Sequence, residues 1–109
     1  TLILASSSAM VNIDRVFNRF NLHTYFTAKI SGADLSASKP HPEIFDKAAI
    51  LGNTAKQNCI IIEDSDNGIK AANDAEIFVV GYKNPMAKDQ TLKNANFVID
   101  DFTFLKGRI

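Results

Sequence analysis

"IIIEDSDNGIKAA", residues 60–72, is the stretch that decides the fold. Three consecutive isoleucines read as a strand entering a core, because β-branched apolar side chains suit a buried pleated surface. The run ends in Glu63, Asp64 and Asp66, and Gly68 then opens a segment of helical character, "NGIKAANDA" (67–75). Ser65 and Asp66 are both placed to cap that helix. Carboxylates at the end of a buried strand are costly unless they are solvated or meet a cation. Magnesium suits one or two such carboxylates, since it keeps several waters and shares phosphate oxygens. Capping and solvation account for the same acids equally well from this stretch alone. Strand alternation sends Glu63 and Asp64 to opposite faces if the strand persists, so at most one need look straight into a site.

Working outward, "CIII" (59–62) is the second of two short apolar strands, the first being "LILAS" (2–6), which three serines stop. Ser7 or Ser8 is expected to cap the following helix, "AMVNIDRVFNRF", in which Val11, Val16, Phe17 and Phe20 recur near helical spacing. "NLHTYF" reads as a helical turn, "AKIS" (28–31) as a weak strand and "GADLSASK" as a polar loop. Pro42 suits the first turn of a helix over "PEIFDKAAIL", because its missing N–H would be unpaired there, and Gly52 and Asn53 end that helix. "IFVVGY" (77–82) and "NFVID" (96–100) are further strands, and "DFTFLKGRI" closes with a helical turn. The alternation predicts one α/β domain over residues 1–109: Rossmann-like, three-layered α/β/α, with a mainly parallel sheet and right-handed crossovers.

Composition narrows the function. Twelve basic and twelve acidic residues cancel, and no basic stripe or cluster points to nucleic acid or a membrane surface. No apolar run approaches the length of a membrane span. "TLILA" is too short for a secretory core and lacks a positive lead-in. Cys59 is the single cysteine, so no internal disulfide forms, and a reducing cytoplasm is the expected compartment. The thiol reads as an inert core group, and the phenylalanines as core or boundary residues. His41, between two prolines, reads as a loop residue.

Ligands of open parallel sheets bind beyond the carboxyl ends of the strands. Three features converge on that edge: the serines after the first strand, the acids after "CIII", and Lys39. A small-residue turn running into a helix N-terminus offers donors to an anion. A lysine held before a proline can neutralise phosphate as a point charge. Singly, each has a bland explanation as cap, solvated turn or solubilising charge. Together they supply donors, cation and counter-ion once each, and point to a Mg²⁺-dependent phosphate site.

"ILASSS" (3–8), "SKPHPEIFDKAA" (38–49), "IIIEDSDNGIKAA" and "VVGYKNP" (79–85), in this order, are similar to the haloacid dehalogenase (HAD) superfamily, in particular its β-phosphoglucomutase-like phosphatases and phosphomutases. The resemblance implies that Ser6 and Ser7 bind the transferring phosphoryl group and that Lys39, the catalytic lysine, holds nucleophile and phosphate. It implies Asp64 as a Mg²⁺ ligand and Glu63 as the neighbouring acid that meets the metal directly or through water. Ser65 and Asn67 would support them. The implied substrate is a small phosphorylated metabolite of the sugar phosphate class.

The family's reaction starts from an aspartate in a DxDx(T/V) motif on the first strand, with a second aspartate as general acid/base. These 109 residues show neither: "DSDNG" (64–68) has the DxD spacing in the context of the metal motif. The cap that selects substrate has no counterpart either. The chain is therefore expected to correspond to the C-terminal part of the core domain and to be inactive, or nearly so, as it stands. Losing a nucleophile costs about 10⁴- to 10⁶-fold in other covalent enzymes. The absent strand would sit between "LILAS" and "CIII", leaving a gap of roughly 10 Å at the usual strand spacing. Unpaired edges there invite self-association. Two further readings are a fragment of a β-phosphoglucomutase, an isomerase, and a degenerate HAD-fold module that only binds.

Overall fold

Every strand pairing is parallel, and the strands fall into two separate sheets. In the computed structural model, which describes residues 1–108, β1 (Ile3–Ser6) pairs with β2 (Ala28–Ser31), Ala5 opposite Ile30. The second sheet has the order β3 (Ile60–Glu63), β4 (Phe78–Tyr82), β5 (Phe97–Ile99), with Ile61 opposite Val79 and Gly81 opposite Val98. Helices α1 (Met10–Phe20), α2 (Glu43–Leu51) and α3 (Asp66–Asp74) link them, with 3₁₀ turns at Leu22–Thr24, Gly32–Asp34, Lys56–Asn58 and Phe102–Leu105.

One core joins the two sheets without a hydrogen-bonded ladder between them. Ile44 and Phe45 of α2 pack with Ile69, Ala71 and Ala72 of α3 and with Val79, and Ala5, Ile30 and Ile61 lean on this cluster from β1, β2 and β3. Residues paired across strands share a face, so α2 and α3 cover the same side of both sheets. β1 and β3 therefore stand side by side over one helical layer. Neither has a second strand partner among the described residues, so the two strands do not pair directly with each other.

The opposite layer covers only part of the molecule. Lys29, out of phase with Ile30, pairs with Asp14 of α1 and lies 4.8 Å from the Phe17 ring centre, which puts α1 over β1 and β2. On the corresponding side of the other sheet, Ile60, Ile62, Phe78 and Phe97 are 40%, 41%, 51% and 45% exposed. The C-terminal 3₁₀ turn gives partial cover: Leu105 packs with Val80 and Ile99, Phe102 stacks on Tyr82 at 4.3 Å between ring centres and Phe104 on Phe97 at 5.0 Å. No helix is long and apolar enough to cross a membrane among the described residues.

Several local expectations are corrected. "CIII" does not form a buried strand: β3 starts at Ile60 and alternates exposed and half-buried, because one of its faces and one of its edges are uncovered. Cys59 precedes the strand, half-buried, with its thiol 3.4 Å from the Ala55 carbonyl. The buried stripe of α1 is Ile13 and Phe17, while Val11, Val16 and Phe20 are exposed, since a helix resting on two strands buries a narrow face. Of the phenylalanines, Phe17 and Phe45 are buried, whereas Phe20, Phe78, Phe97, Phe102 and Phe104 are largely exposed. The helix caps are Ala9 for α1, without a side-chain bond, and Ser65 for α3, whose Oγ accepts the Gly68 N–H at 3.0 Å. Asp66 is the first residue of α3 and turns its carboxylate elsewhere. Pro42 and Gly52 bound α2 as expected.

Candidate functional site

The serine turn is tied down from β2. Ser31, 1% exposed, donates its hydroxyl to the Ser8 carbonyl at 2.6 Å and accepts the Ala33 N–H at 3.2 Å. A Cβ on Gly32 would lie 3.3 Å from the Ser7 Cα, so a glycine lets β2 approach the turn closely. Ser6 Oγ accepts the Ser8 N–H at 3.1 Å. With its carbonyl engaged, Ser8 does not cap α1, and the chain stays extended through Ala9. No side chain closes the N-terminus of α1, whose first amides keep their affinity for negative charge.

Lys39 arrives on the loop between β2 and α2, joined to Pro40 by a cis peptide bond. Glu43, at the start of α2, fixes that loop: its carboxylate accepts the Ser36 hydroxyl at 2.9 Å and the Ala37 N–H at 3.1 Å. The Ser36 hydroxyl holds the Glu43 carboxyl below its ordinary value, against an opposing effect of partial desolvation.

Glu63 is surrounded by donors. Oε1 accepts the N–H of Asp64 at 3.1 Å, the N–H of Ser65 at 3.2 Å and the Ser65 hydroxyl at 3.1 Å. Oε2 accepts the Lys39 ammonium at 2.9 Å, with the two side chains 10% and 12% exposed. The carboxylate folds back over the start of α3. A Cβ on Gly68 would sit 2.0 Å from Glu63 Cδ, so only glycine leaves room for it. Lys39 also lies 5.2 Å from the Phe45 ring centre, a cation–π contact that orients the ammonium further.

Asp64 is held differently. Its Oδ2 accepts Asn84 Nδ2 at 2.9 Å, and none of the described residues donates to Oδ1. Asp66 clasps the loop that follows β4: Oδ1 accepts the Leu92 N–H at 2.8 Å and Oδ2 the Thr91 N–H at 3.0 Å. These two amides, Thr91 first, hold the Asp66 carboxyl below its ordinary value of 3.8. In return Gln90 Oε1 accepts the Asp66 N–H at 2.6 Å.

Ser7, Lys39, Glu63, Asp64, Ser65, Asp66, Asn67 and Gln90 line one cleft of about 560 Å³. Four of the residues singled out in the sequence, Ser7, Lys39, Glu63 and Asp64, thus meet at the carboxyl ends of β1 and β3. Ser6 stands behind them, outside the lining. Asn84, although inside the quoted "VVGYKNP", and Gln90 were given no role from the sequence, because loop residues acquire partners only through the fold. Gly68 had one: a glycine inside a helical segment is costly, which marks a position of close approach. A divalent cation fits Asp64, whose Oδ1 is an uncommitted hard donor. It fits Glu63 less directly, because the Lys39 ammonium already neutralises that carboxylate. No group of three or more His, Cys, Asp or Glu gathers as a metal cage among the described residues. An ion that keeps its waters and shares phosphate oxygens needs none.

Comparison with known proteins follows this geometry. A family profile described as haloacid dehalogenase-like hydrolase matches residues 1–82. Hexitol phosphatase B of Escherichia coli O157:H7 is 34% identical over 107 residues, which are 96% of this chain and 48% of that protein. Beta-phosphoglucomutase of Bacillus subtilis is 32% identical over 96 residues, 88% of this chain and 40% of that protein. Among solved structures, beta-phosphoglucomutase from Clostridium difficile superposes with a TM-score of 0.82 at 38% identity, over 97% of this chain and 45% of that one. The chain spans less than half the length of these relatives.

Proposed function

The chain belongs to the haloacid dehalogenase-like hydrolases, and from that premise we propose that it is the phosphate- and metal-binding part of a Mg²⁺-dependent phosphatase of small phosphorylated metabolites, in the sugar phosphate class. The observation that carries this reading is the meeting of Ser7, Lys39 and Asp64 in one cleft at the carboxyl ends of two parallel sheets. Ser7, with Ser6 behind it and the open N-terminus of α1, donates to phosphoryl oxygens. Lys39 adds the positive charge and swings between Glu63 and the phosphoryl group. Asp64 would hold the metal, its Oδ1 having no other partner among the described residues, and Glu63 would stand beside it while keeping Lys39 in place. Bound Mg²⁺ supplies charge neutralisation and orientation of the phosphoryl oxygens.

In this reading each of these groups binds phosphate or metal and none serves as the nucleophile, so residues 1–109 alone are expected to turn over phosphate esters barely or not at all. A phosphatase assay with an aryl phosphate and Mg²⁺, run on the chain and on Asp64→Asn, is expected to give no turnover in either. Turnover that vanishes in the variant would put a nucleophile within these residues. Inorganic phosphate, followed by NMR, is expected to shift the amides of Ser7 and its neighbours, and Lys39→Ala to abolish that shift. An unchanged spectrum on adding phosphate would overturn the site.

A second reading, a phosphomutase, is favoured by the 38% identity to the Clostridium difficile structure. Isomerisation of a phosphoglucose, instead of release of inorganic phosphate, would distinguish it. The free thiol of Cys59 and the balanced charge support a cytoplasmic location without a nucleic-acid partner. The unpaired edges of β1 and β3 support self-association.

A further inference from the structure

Asp64 enters the cleft with one oxygen already engaged. Its partner, Asn84, has no freedom to turn its amide round: Oδ1 accepts the Met86 N–H at 3.0 Å, so Nδ2, the donor, must face Asp64. The backbone just before Asn84 is fixed too, since the Lys83 N–H donates to the Ile99 carbonyl at 2.8 Å. The register explains the meeting. Glu63 stands opposite Gly81, and β4 runs one residue further than β3, so the chain leaving β4 passes over the residue that follows β3. The segment beyond Asn84 is anchored at its far end by the Asp66 clasp on Thr91 and Leu92.

We propose that Asn84 is a positioning residue for Asp64: by saturating Oδ2 it selects the side-chain rotamer that leaves Oδ1 turned to the cleft, ready for a divalent cation. The inference rests on the reading of Asp64 as metal ligand. Partners that orient a ligating side chain change metal affinity by about 10- to 100-fold when removed. One hydrogen bond to a half-exposed aspartate belongs at the lower end of that range.

The test uses the 109-residue chain, with NMR as the readout. The Hα–Hβ couplings of Asp64 report its rotamer without any metal. Mn²⁺-induced line broadening of the 64–66 amides gives a dissociation constant. In the chain itself Asp64 is expected to occupy one rotamer, and in Asn84→Ala, or the bulkier Asn84→Leu, to average over several. Mn²⁺ affinity is expected to fall about 10-fold in those variants and to be unchanged by the same substitution in an Asp64→Asn background. A single retained rotamer, or an equal loss of affinity in the Asp64→Asn background, overturns the proposal. A chain that binds no Mn²⁺ overturns the metal reading of Asp64, and the couplings then decide the role of Asn84 by themselves.

Discussion

Glu63 concentrates the energetics of the site in one side chain. It is almost fully buried, yet it accepts three bonds from its own turn and one from Lys39, so its charge is met on both oxygens. Removing one partner of such a pair leaves the other uncompensated. Gly68→Ala would drive a methyl into Glu63 Cδ and expel the carboxylate from this cage. The expected cost is about 2–4 kcal/mol, combining overpacking with a broken buried pair, measured by urea denaturation. In a Glu63→Ala background the three atoms nearest to the new methyl are gone, and the same substitution should cost well under half as much; equal costs in both backgrounds would exclude the clash as the cause. The presence of acids at this strand end was legible in the sequence, but their division of labour was not. Adjacent acids look alike in a string. Only the fold shows that Glu63 turns back to amides and a lysine while Asp64 keeps an oxygen uncommitted.

At the scale of elements, the N-terminus of α3 and the loop after β4 are one unit. Leu92 is buried with φ at 56°, a left-handed conformation that a bulky side chain adopts only when its surroundings impose it. Asp66 is the imposing group, through its bond to the Leu92 amide. Because these amides depress the Asp66 carboxyl, its stabilising effect is complete above the unfolded-chain value and is lost as pH falls through the lower folded value. Asp66→Asn is therefore expected to lower the thermal midpoint at neutral pH and to flatten the decline on acidification below 3.8. Parallel acid profiles for the two proteins would count against the clasp. Hydrogen exchange should also quicken at Thr91 and Leu92 in the variant. The order of strands and helices was readable from apolar runs, from Pro42 and from Gly52, each a local cause. The serine cap of α1 and the burial of β3 were misread, because the first depends on Ser31 in another strand and the second on which layers are present.

At the scale of the whole molecule, β1 and β3 each keep one edge without a strand partner among the described residues. That β1 and β3 do not pair was implied by the family resemblance, which sets another strand between them; the bare face beside β3 had no such signal, since burial depends on neighbours outside the local sequence. Ile60 and Ile62 bring apolar surface to the open side of β3, and sheet edges of this kind pair readily with other chains. Sedimentation is expected to show concentration-dependent association, weakened by Ile62→Lys, whose charge discourages stacking on that face. A monomer at all concentrations would show that the open edges are not sticky. The missing pairing also has a mechanical meaning. Ser7 hangs from one sheet and Asp64 from the other, and no backbone ladder spans them. The width of the cleft is thus gauged by the Lys39–Glu63 ion pair and by the shared helical floor. Without a ladder between the sheets, a change in the helical packing beneath them would move Ser7 and Asp64 apart or together, so the two lips of the cleft are hinged on side chains and not on backbone.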